Sequence, residues 1–175
     1  AEMRQALEAG IRCFNVESAA ELAHLNAVAG ELGEQAPIAL RVNPDVDPQT
    51  HPYISTGLKG NKFGVAFADA LDLYRRAAAL PNLRISGVAC HIGSQLLDPA
   101  PLAEAAQKLR DLVDRLATEG PNLEHIDLRG GLGLRHRDET PHTLDDSLAP
   151  LMALFTFPST AVCFPPLRVL VGNSL

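Results

Sequence analysis

The hydrophobic residues of this chain form short runs that alternate with longer amphipathic segments. The runs IRCFNV, PIALRVNP, LRISGVACHIGS and LEHIDLRGGLGL are almost continuously apolar, a pattern typical of strands that are covered on both faces. The run LRVLVG, near the end of the chain, has the same character. The pattern therefore predicts five strands, at residues 11–16, 37–44, 83–94, 123–134 and 167–172.

Between these runs the apolar residues recur at helical spacing. Ser18 precedes one such stripe and is followed three residues later by Glu21, which is the sequence signature of a capping box. The strongest helix is predicted at residues 101–120, where Gly120 provides a stop signal. Its aligned apolar residues are Leu102, Ala105, Leu109, Leu112 and Leu116. Further helices are predicted at residues 67–80 and 146–155.

The alternation of strands and helices predicts a parallel sheet and an α/β fold. The number of strands corresponds to about five of the eight βα units of a (β/α)8 TIM barrel. An open, doubly wound sheet is the alternative, because periodicity does not decide whether a sheet closes. The chain begins inside a helical pattern and ends inside a strand pattern, so we expect residues 1–175 to form a partial barrel domain of a larger protein.

Composition narrows the class of protein. The chain has 175 residues, of which 46% are hydrophobic and 21% are charged, as is typical of a globular domain. The formal net charge of −6 argues against a nucleic-acid surface, and the apolar runs are too short to cross a membrane. There is no signal-peptide pattern, and Cys13, Cys90 and Cys163 are interpreted as reduced buried thiols, so we expect a cytoplasmic protein.

In parallel β/α folds, functional side chains gather where the strands end. The exits HIGS and RGGLG are both rich in glycine, which lets backbone N–H groups approach an anion closely. The hydroxyl of Ser94 can donate to the same anion, and the imidazole of His91 can lie against an attached aromatic ring. These features indicate a phosphorylated ligand, but they also fit two tight turns and a core histidine. Because His125 and Asp127 have no third partner, no metal site is predicted.

Four segments resemble the diaminopimelate decarboxylase family: IRCFNVESAAEL, APIALRVNPDVDPQTHPYISTGLKGNKFGV, GVACHIGSQ and LEHIDLRGGLGL. The resemblance is strong over residues 1–140 and weaker over 141–175, where FPPLRVLVGNSL is similar to a Glu-Pro-Gly-Arg-x-Leu-Val-Gly-Asn segment. It implies a pyridoxal 5′-phosphate (PLP) enzyme with an alanine-racemase-type barrel. The implied reaction removes one carboxylate of meso-2,6-diaminopimelate as CO2 and gives L-lysine, the last step of lysine biosynthesis, in a homodimer.

The resemblance also implies roles for individual residues. His91 would stack on the pyridine ring of PLP, and Arg41 would lie near the hydroxyl of that ring. Ser94, Gly130 and Gly131 would hold the phosphate. These implied roles agree with the phosphorylated ligand that the glycine-rich exits indicate.

At the end of the chain, Arg168 matches an arginine of the family that contacts both the phosphate and a substrate carboxylate. Two positions depart from the family pattern: Arg129 replaces the first of three glycines, and Pro165 replaces a glutamate that pairs with the pyridine nitrogen. The Arg129 side chain is expected either to crowd the glycine-rich loop or to form a salt bridge with the phosphate. The strand that carries the Schiff-base lysine and the β-domain are expected to lie outside this chain. We therefore expect little or no turnover by the chain alone.

Two other functions compete with this interpretation. A decarboxylase-like barrel without catalysis could pair with an active decarboxylase, which the substitutions at Arg129 and Pro165 motivate. A barrel enzyme that acts on a sugar phosphate would use the same glycine-rich exits. That reading leaves the long motif match unexplained.

Overall fold

The computed structural model describes residues 1–46, 63–93, 96–130, 143–156 and 160–164. Within these ranges the helices are α1 Glu2–Glu8, α2 Ala19–Leu32, α3 Phe67–Ala78, α4 Ala100–Glu119 and α5 Leu144–Leu154. The strands are β1 Phe14–Val16, β2 Ala36–Asn43, β3 Val65–Ala66, β4 Leu83–His91, β5 His125–Arg129 and β6 Ala161–Cys163. Helices alternate with strands along most of the described chain.

The strands form one sheet in the order β1-β2-β4-β5-β6, with β3 paired to the last residues of β2. Every pairing is parallel, which confirms the predicted α/β fold with a parallel sheet. The predicted strand at residues 167–172 lies outside the described residues. Pattern reading missed β3 and β6, because strands of two and three residues are too short to show a period.

The predicted helix boundaries follow the local signals. Ser18 is the N-cap of α2, where its hydroxyl accepts a hydrogen bond from the Glu21 N–H at 3.2 Å. Gly33 ends this helix with φ of 68°, a left-handed conformation that glycine adopts without strain. The apolar stripe predicted for α4 is buried throughout. None of the described helices is both long enough and apolar enough to span a membrane.

The sheet has an apolar face and a polar face. Alternate side chains of the central strands, such as Leu40, Val88 and Ile126, are fully buried in the core cluster with the apolar stripes of the helices. The residues between them, including Arg41 and Asp127, line cavities on the opposite face. Because successive side chains of a strand point to opposite faces, the polar residues of several strands share one concave surface.

A β-bulge sets which side chains of β4 reach that surface. Ile38 of β2 pairs with Ile85, but the next residue of β2 pairs with Gly87, so that Ser86 has no partner in the register. An extra residue of this kind reverses the alternation of side chains along the strand. The bulge therefore lets Ile85 and Val88 both contact the core, and it places the final residue of β4 on the polar face.

Two side chains replace the backbone hydrogen bonds that the bulge interrupts. The hydroxyl of Tyr74, which is buried, donates to the carbonyl of Gly87 at 2.8 Å and accepts from the Leu40 N–H at 3.4 Å. The hydroxyl of Ser86 donates to the carbonyl of Ile38 at 3.0 Å. Burial raises the pKa of Tyr74 above its ordinary value, so this hydroxyl stays protonated and keeps its donor.

We expect the substitution Tyr74→Phe to lower the free energy of unfolding by about 1–3 kcal/mol, because two buried backbone groups lose their partner. Thr118→Ala, which removes an exposed hydroxyl on α4, is the control and should change stability by less than about 0.5 kcal/mol. Urea denaturation followed by circular dichroism measures both values. Equal stability of Tyr74→Phe and the unmodified chain would contradict this role for the hydroxyl.

Candidate functional site

A cavity of about 290 Å³ lies on the polar face of the sheet, next to the carboxyl ends of the central strands. Its lining residues come from β1, β2, β4 and β5, and they are Asn15, Arg41, Ala89, Cys90, His91 and Arg129. The register explains this meeting, since Arg41 pairs with Ala89 and His91 pairs with Arg129. Two of the predicted site residues, Arg41 and His91, are thus brought to one cavity.

His91 is the last residue of β4, and its side chain is half-buried. The strand ends just beyond it, where Gly93 adopts a φ of 137°, a region that other residues rarely enter. The N–H of Ile92 donates to the carbonyl of Arg129 at 3.1 Å. This bond continues the ladder one residue past the end of β4 and holds the two predicted exits side by side.

Arg41 is fixed by a group of neighbouring residues from two other segments. Its Nη1 donates to Glu17 Oε1 at 2.7 Å, and its guanidinium lies 5.4 Å from the centre of the Phe63 ring. The other oxygen of Glu17 accepts from the Gly64 N–H at 3.0 Å. At Gly64, φ is +80° and an added Cβ would lie 2.9 Å from the carbonyl oxygen of Arg41. Glu17 therefore positions both Arg41 and the start of β3.

Arg129 projects from the end of β5 and contacts an acid on its own strand. Its Nε and Nη2 both donate to Asp127 Oδ2, at 2.7 and 2.6 Å. This hydrogen-bonded carboxylate raises the pKa of Arg129 further above its ordinary value, so the guanidinium remains charged. From the sequence, this side chain is expected either to crowd the glycine-rich loop or to form a salt bridge with the phosphate. The structure places it in the wall of the cavity.

Gly130 follows Arg129 at the end of β5, and its surroundings give it a packing role. A Cβ added here would lie 2.9 Å from Leu96 Cδ1 and 3.1 Å from Leu102 Cδ1. A larger residue here would therefore displace the ends of these two leucine side chains. The predicted contact of Gly130 with a phosphate stays a prediction.

Several predicted site residues fall outside the described part of the chain. They are Ser94, Gly131 and Arg168 among the expected ligands of the cofactor, and Pro165 among the departures.

A second cavity, of about 560 Å³, continues the same concave surface toward the amino ends of the strands. Asn15 and Arg129 line both cavities. The remaining lining residues are Arg12, Cys13, His125, Asp127, Val162, Cys163 and Phe164. Cys13 and Cys163 are free and half-buried, whereas Cys90 is buried. Pattern reading placed His125 and Asp127 on one face, as observed, but it gave no signal for the contribution of β6.

His125 is a buried side chain in the wall of the larger cavity, with only 6% of its surface exposed. Its ring lies over Gly87, where an added Cβ would collide with the imidazole. Among the described residues, its Nδ1 has no hydrogen-bond partner. Burial, followed by the charge of Arg12, lowers the pKa of His125 below its ordinary value, so the neutral imidazole is favoured in the folded chain.

We expect Glu17→Ala to speed hydrogen exchange at the Gly64 amide by at least about fivefold, since that amide loses a charged acceptor worth about 1 kcal/mol or more. Global stability should change little, because the Glu17–Arg41 pair is partly exposed. Glu31→Ala, which removes an exposed ion pair with Arg4, is the control. Unchanged exchange at Gly64 in Glu17→Ala would show that Glu17 does not hold this segment.

We expect His125 to make the fold less stable in acid. The unfolded state protonates near pH 6.5, whereas the folded state resists protonation, so the free energy of unfolding falls as the pH decreases below about 6.5. Above that pH both states are neutral and the effect vanishes. Urea denaturation gives the free energy of unfolding at pH 7.5 and at pH 5.5. The difference between these two values should be smaller for His125→Asn than for His24→Asn, which changes an exposed residue and is the control. Equal differences for the two variants would contradict the role of His125 in the loss of stability in acid.

Comparison with known proteins matches both the sequence and the fold. The family model "Pyridoxal-dependent decarboxylase, pyridoxal binding domain" matches residues 1–162. Diaminopimelate decarboxylase of Pseudomonas fluorescens is 55% identical over 174 residues, covering 99% of this chain and 42% of that protein. The same enzyme of Haemophilus influenzae is 51% identical, with the same coverage. The crystal structure of diaminopimelate decarboxylase from Helicobacter pylori complexed with L-lysine matches with a TM-score of 0.90 and 39% identity, over 94% of this chain and 42% of that chain.

These matches confirm the predicted partial PLP-binding barrel. They also show how much of the relatives' length this chain spans. The chain spans about 42% of the length of the relatives it matches. The family model nevertheless covers most of the chain itself. The chain therefore belongs to the pyridoxal-dependent decarboxylases, and the part of the family that it represents is the pyridoxal-binding domain.

Proposed function

We propose that this chain is the PLP-binding part of a diaminopimelate decarboxylase. The observation that carries the proposal is the meeting of His91 with Arg41 and Arg129 around one cavity at the strand ends. Ligands of parallel β/α folds bind at this end of the sheet. The relatives that match almost the whole chain are diaminopimelate decarboxylases, which supports this member of the family over the others.

The described residues fit a flat, anionic cofactor. A cavity of about 290 Å³ is near the lower limit for small-molecule sites, and neighbouring residues extend it along the sheet. Two guanidinium groups in its wall favour an anion. His91 provides a planar ring at the strand end, where it can stack on a second planar ring.

PLP, when bound, supplies the electron sink that lets a substrate lose its carboxylate as CO2. The residues of this chain bind and orient it. His91 would support one face of the ring, and Arg41, which Glu17 holds in place, would supply a positive charge near the ring hydroxyl. Since Glu17 and Phe63 restrain the guanidinium, Arg41 is already oriented before the ligand arrives.

For the longer protein we propose decarboxylation of meso-2,6-diaminopimelate to L-lysine, with Arg168 as a contact for the substrate carboxylate. The support is the identity to the decarboxylases of Pseudomonas and Haemophilus. The relative from Helicobacter pylori was crystallised with L-lysine, which is the proposed product. A homodimer belongs to the same proposal and rests on the resemblance of the sequence, whereas the proposed cytoplasmic location rests on the interpretation of the three cysteines as reduced thiols.

The proposal predicts that the chain binds one equivalent of PLP, and that His91→Ala binds it about five- to tenfold more weakly. This loss corresponds to an aromatic contact of about 1 kcal/mol. Equilibrium dialysis gives the dissociation constant, and circular dichroism in the absorption band of PLP reports whether the bound cofactor is held in an asymmetric site. His24→Ala, on the exposed surface of α2, is the control and should bind PLP normally.

The absence of saturable PLP binding by the unmodified chain would contradict the proposal. Normal binding and an unchanged dichroism signal in His91→Ala would contradict the stacking role alone. Thermal denaturation of each variant separates a loss of binding from a loss of fold.

A further inference from the structure

The cavity at the strand ends is lined by hydrogen-bond donors and by no carboxylate among the described residues. Its wall contains two arginines and a histidine, and the described lining residues include no carboxylate. The acids that pair with the arginines, Glu17 and Asp127, lie outside this lining. Arginine side chains that line one cavity attract an anion into it when no carboxylate lines the same cavity. The cavity is therefore suited to a negatively charged group.

The two arginines differ in how much of their surface they present. Arg41 is covered by Glu17 and Phe63, and 23% of its side chain is exposed. Arg129 directs two donors to a single oxygen of Asp127, and 48% of its side chain is exposed. A guanidinium has five N–H donors, so this arrangement leaves one edge of Arg129 available to a second acceptor among the described surroundings.

The direction of Arg129 follows from the strand that carries it. Leu128, one residue earlier, is buried in the apolar core, and alternation along β5 therefore sends Arg129 to the polar face. Gly130, one residue later, packs against Leu96 and Leu102. The Arg129 side chain therefore lies in the wall of the cavity, and the contacts of Gly130 are with Leu96 and Leu102.

We propose that Arg129 is a cofactor-binding residue whose guanidinium contacts the phosphate monoester of PLP, while Asp127 holds it in place. This inference rests on the proposed function and extends it, because a side chain takes part at a position where the family resemblance predicts glycine. A guanidinium matches two phosphate oxygens with two parallel N–H donors. The contact adds charge-assisted binding to the backbone contacts predicted for the glycine-rich exits.

The test compares two ligands that differ only in the phosphate, PLP and pyridoxal. Arg129→Gln should weaken PLP binding at least about tenfold and change pyridoxal binding less than twofold. Arg129→Lys, which keeps the charge, should recover part of the loss. Arg84→Gln, at the opposite end of β4 and paired with exposed Glu124, is the matched control and should bind both ligands normally. Inorganic phosphate should compete with PLP for the unmodified chain and compete less well for Arg129→Gln.

A further pair of variants separates a direct contact from two indirect effects. The double variant Arg129→Gln/Asp127→Asn removes the guanidinium together with the carboxylate that it pairs with, so no unpaired acid remains. If PLP affinity stays low in this double variant, the result supports a direct contact between Arg129 and the phosphate. Recovery of affinity in this double variant would overturn the inference, because the loss would then come from Asp127. Arg129→Gly tests crowding, and tighter PLP binding than in the unmodified chain would also overturn it.

The outcomes also distinguish this inference from the proposed function. If the unmodified chain binds PLP and Arg129→Gln binds it equally well, the inference is wrong and the proposed function stands. If the unmodified chain binds neither PLP nor inorganic phosphate, both are wrong. Urea denaturation of all variants verifies that each binding constant belongs to a folded chain.

Discussion

The β-bulge between β2 and β4 is the constraint on which the candidate site depends. Without the additional residue Ser86, alternation along β4 would send the side chain of His91 to the apolar face of the sheet. The bulge is maintained by two buried hydroxyl groups, those of Tyr74 and Ser86, which bond the backbone groups left without a ladder partner. A helix side chain, Tyr74, thus stabilises the bulge that sets the face on which the functional end of β4 appears.

Charge pairing organises the polar face in a second way. Each cavity arginine has one acid beside it, Glu17 for Arg41 and Asp127 for Arg129. Each pair uses part of the donor capacity of its guanidinium group, and the acids are not part of the lining of the smaller cavity. Since oriented charges need little reorganisation when a ligand binds, such a wall is preorganised for an anion. The same face holds His125 in its neutral form, because burial and the charge of Arg12 disfavour protonation.

The site was only partly accessible to prediction. His91 stood out because an imidazole at the end of an apolar run, followed by glycine, is an unusual way to end a strand. Arg41 was assigned by family resemblance, and its partners could not be found from sequence because Glu17, Phe63 and Gly64 are distant from it along the chain. The phosphate contact of Gly130 stays a prediction, and the structure adds a close approach of this glycine to Leu96 and Leu102 that no sequence pattern indicated.

The sequence by itself determined the element order, the parallel class of the sheet and the helix ends, because capping residues and apolar periodicity act over a few residues. Ser18, Glu21 and Gly120 signal their helix ends without any distant contact. Only the tertiary structure decided the register shift at Ser86, the short strands β3 and β6, and the meeting of Arg41 with Arg129. These features depend on pairing between residues far apart in the chain, where the balance of buried hydrogen bonds and charges, rather than local preference, selects the arrangement.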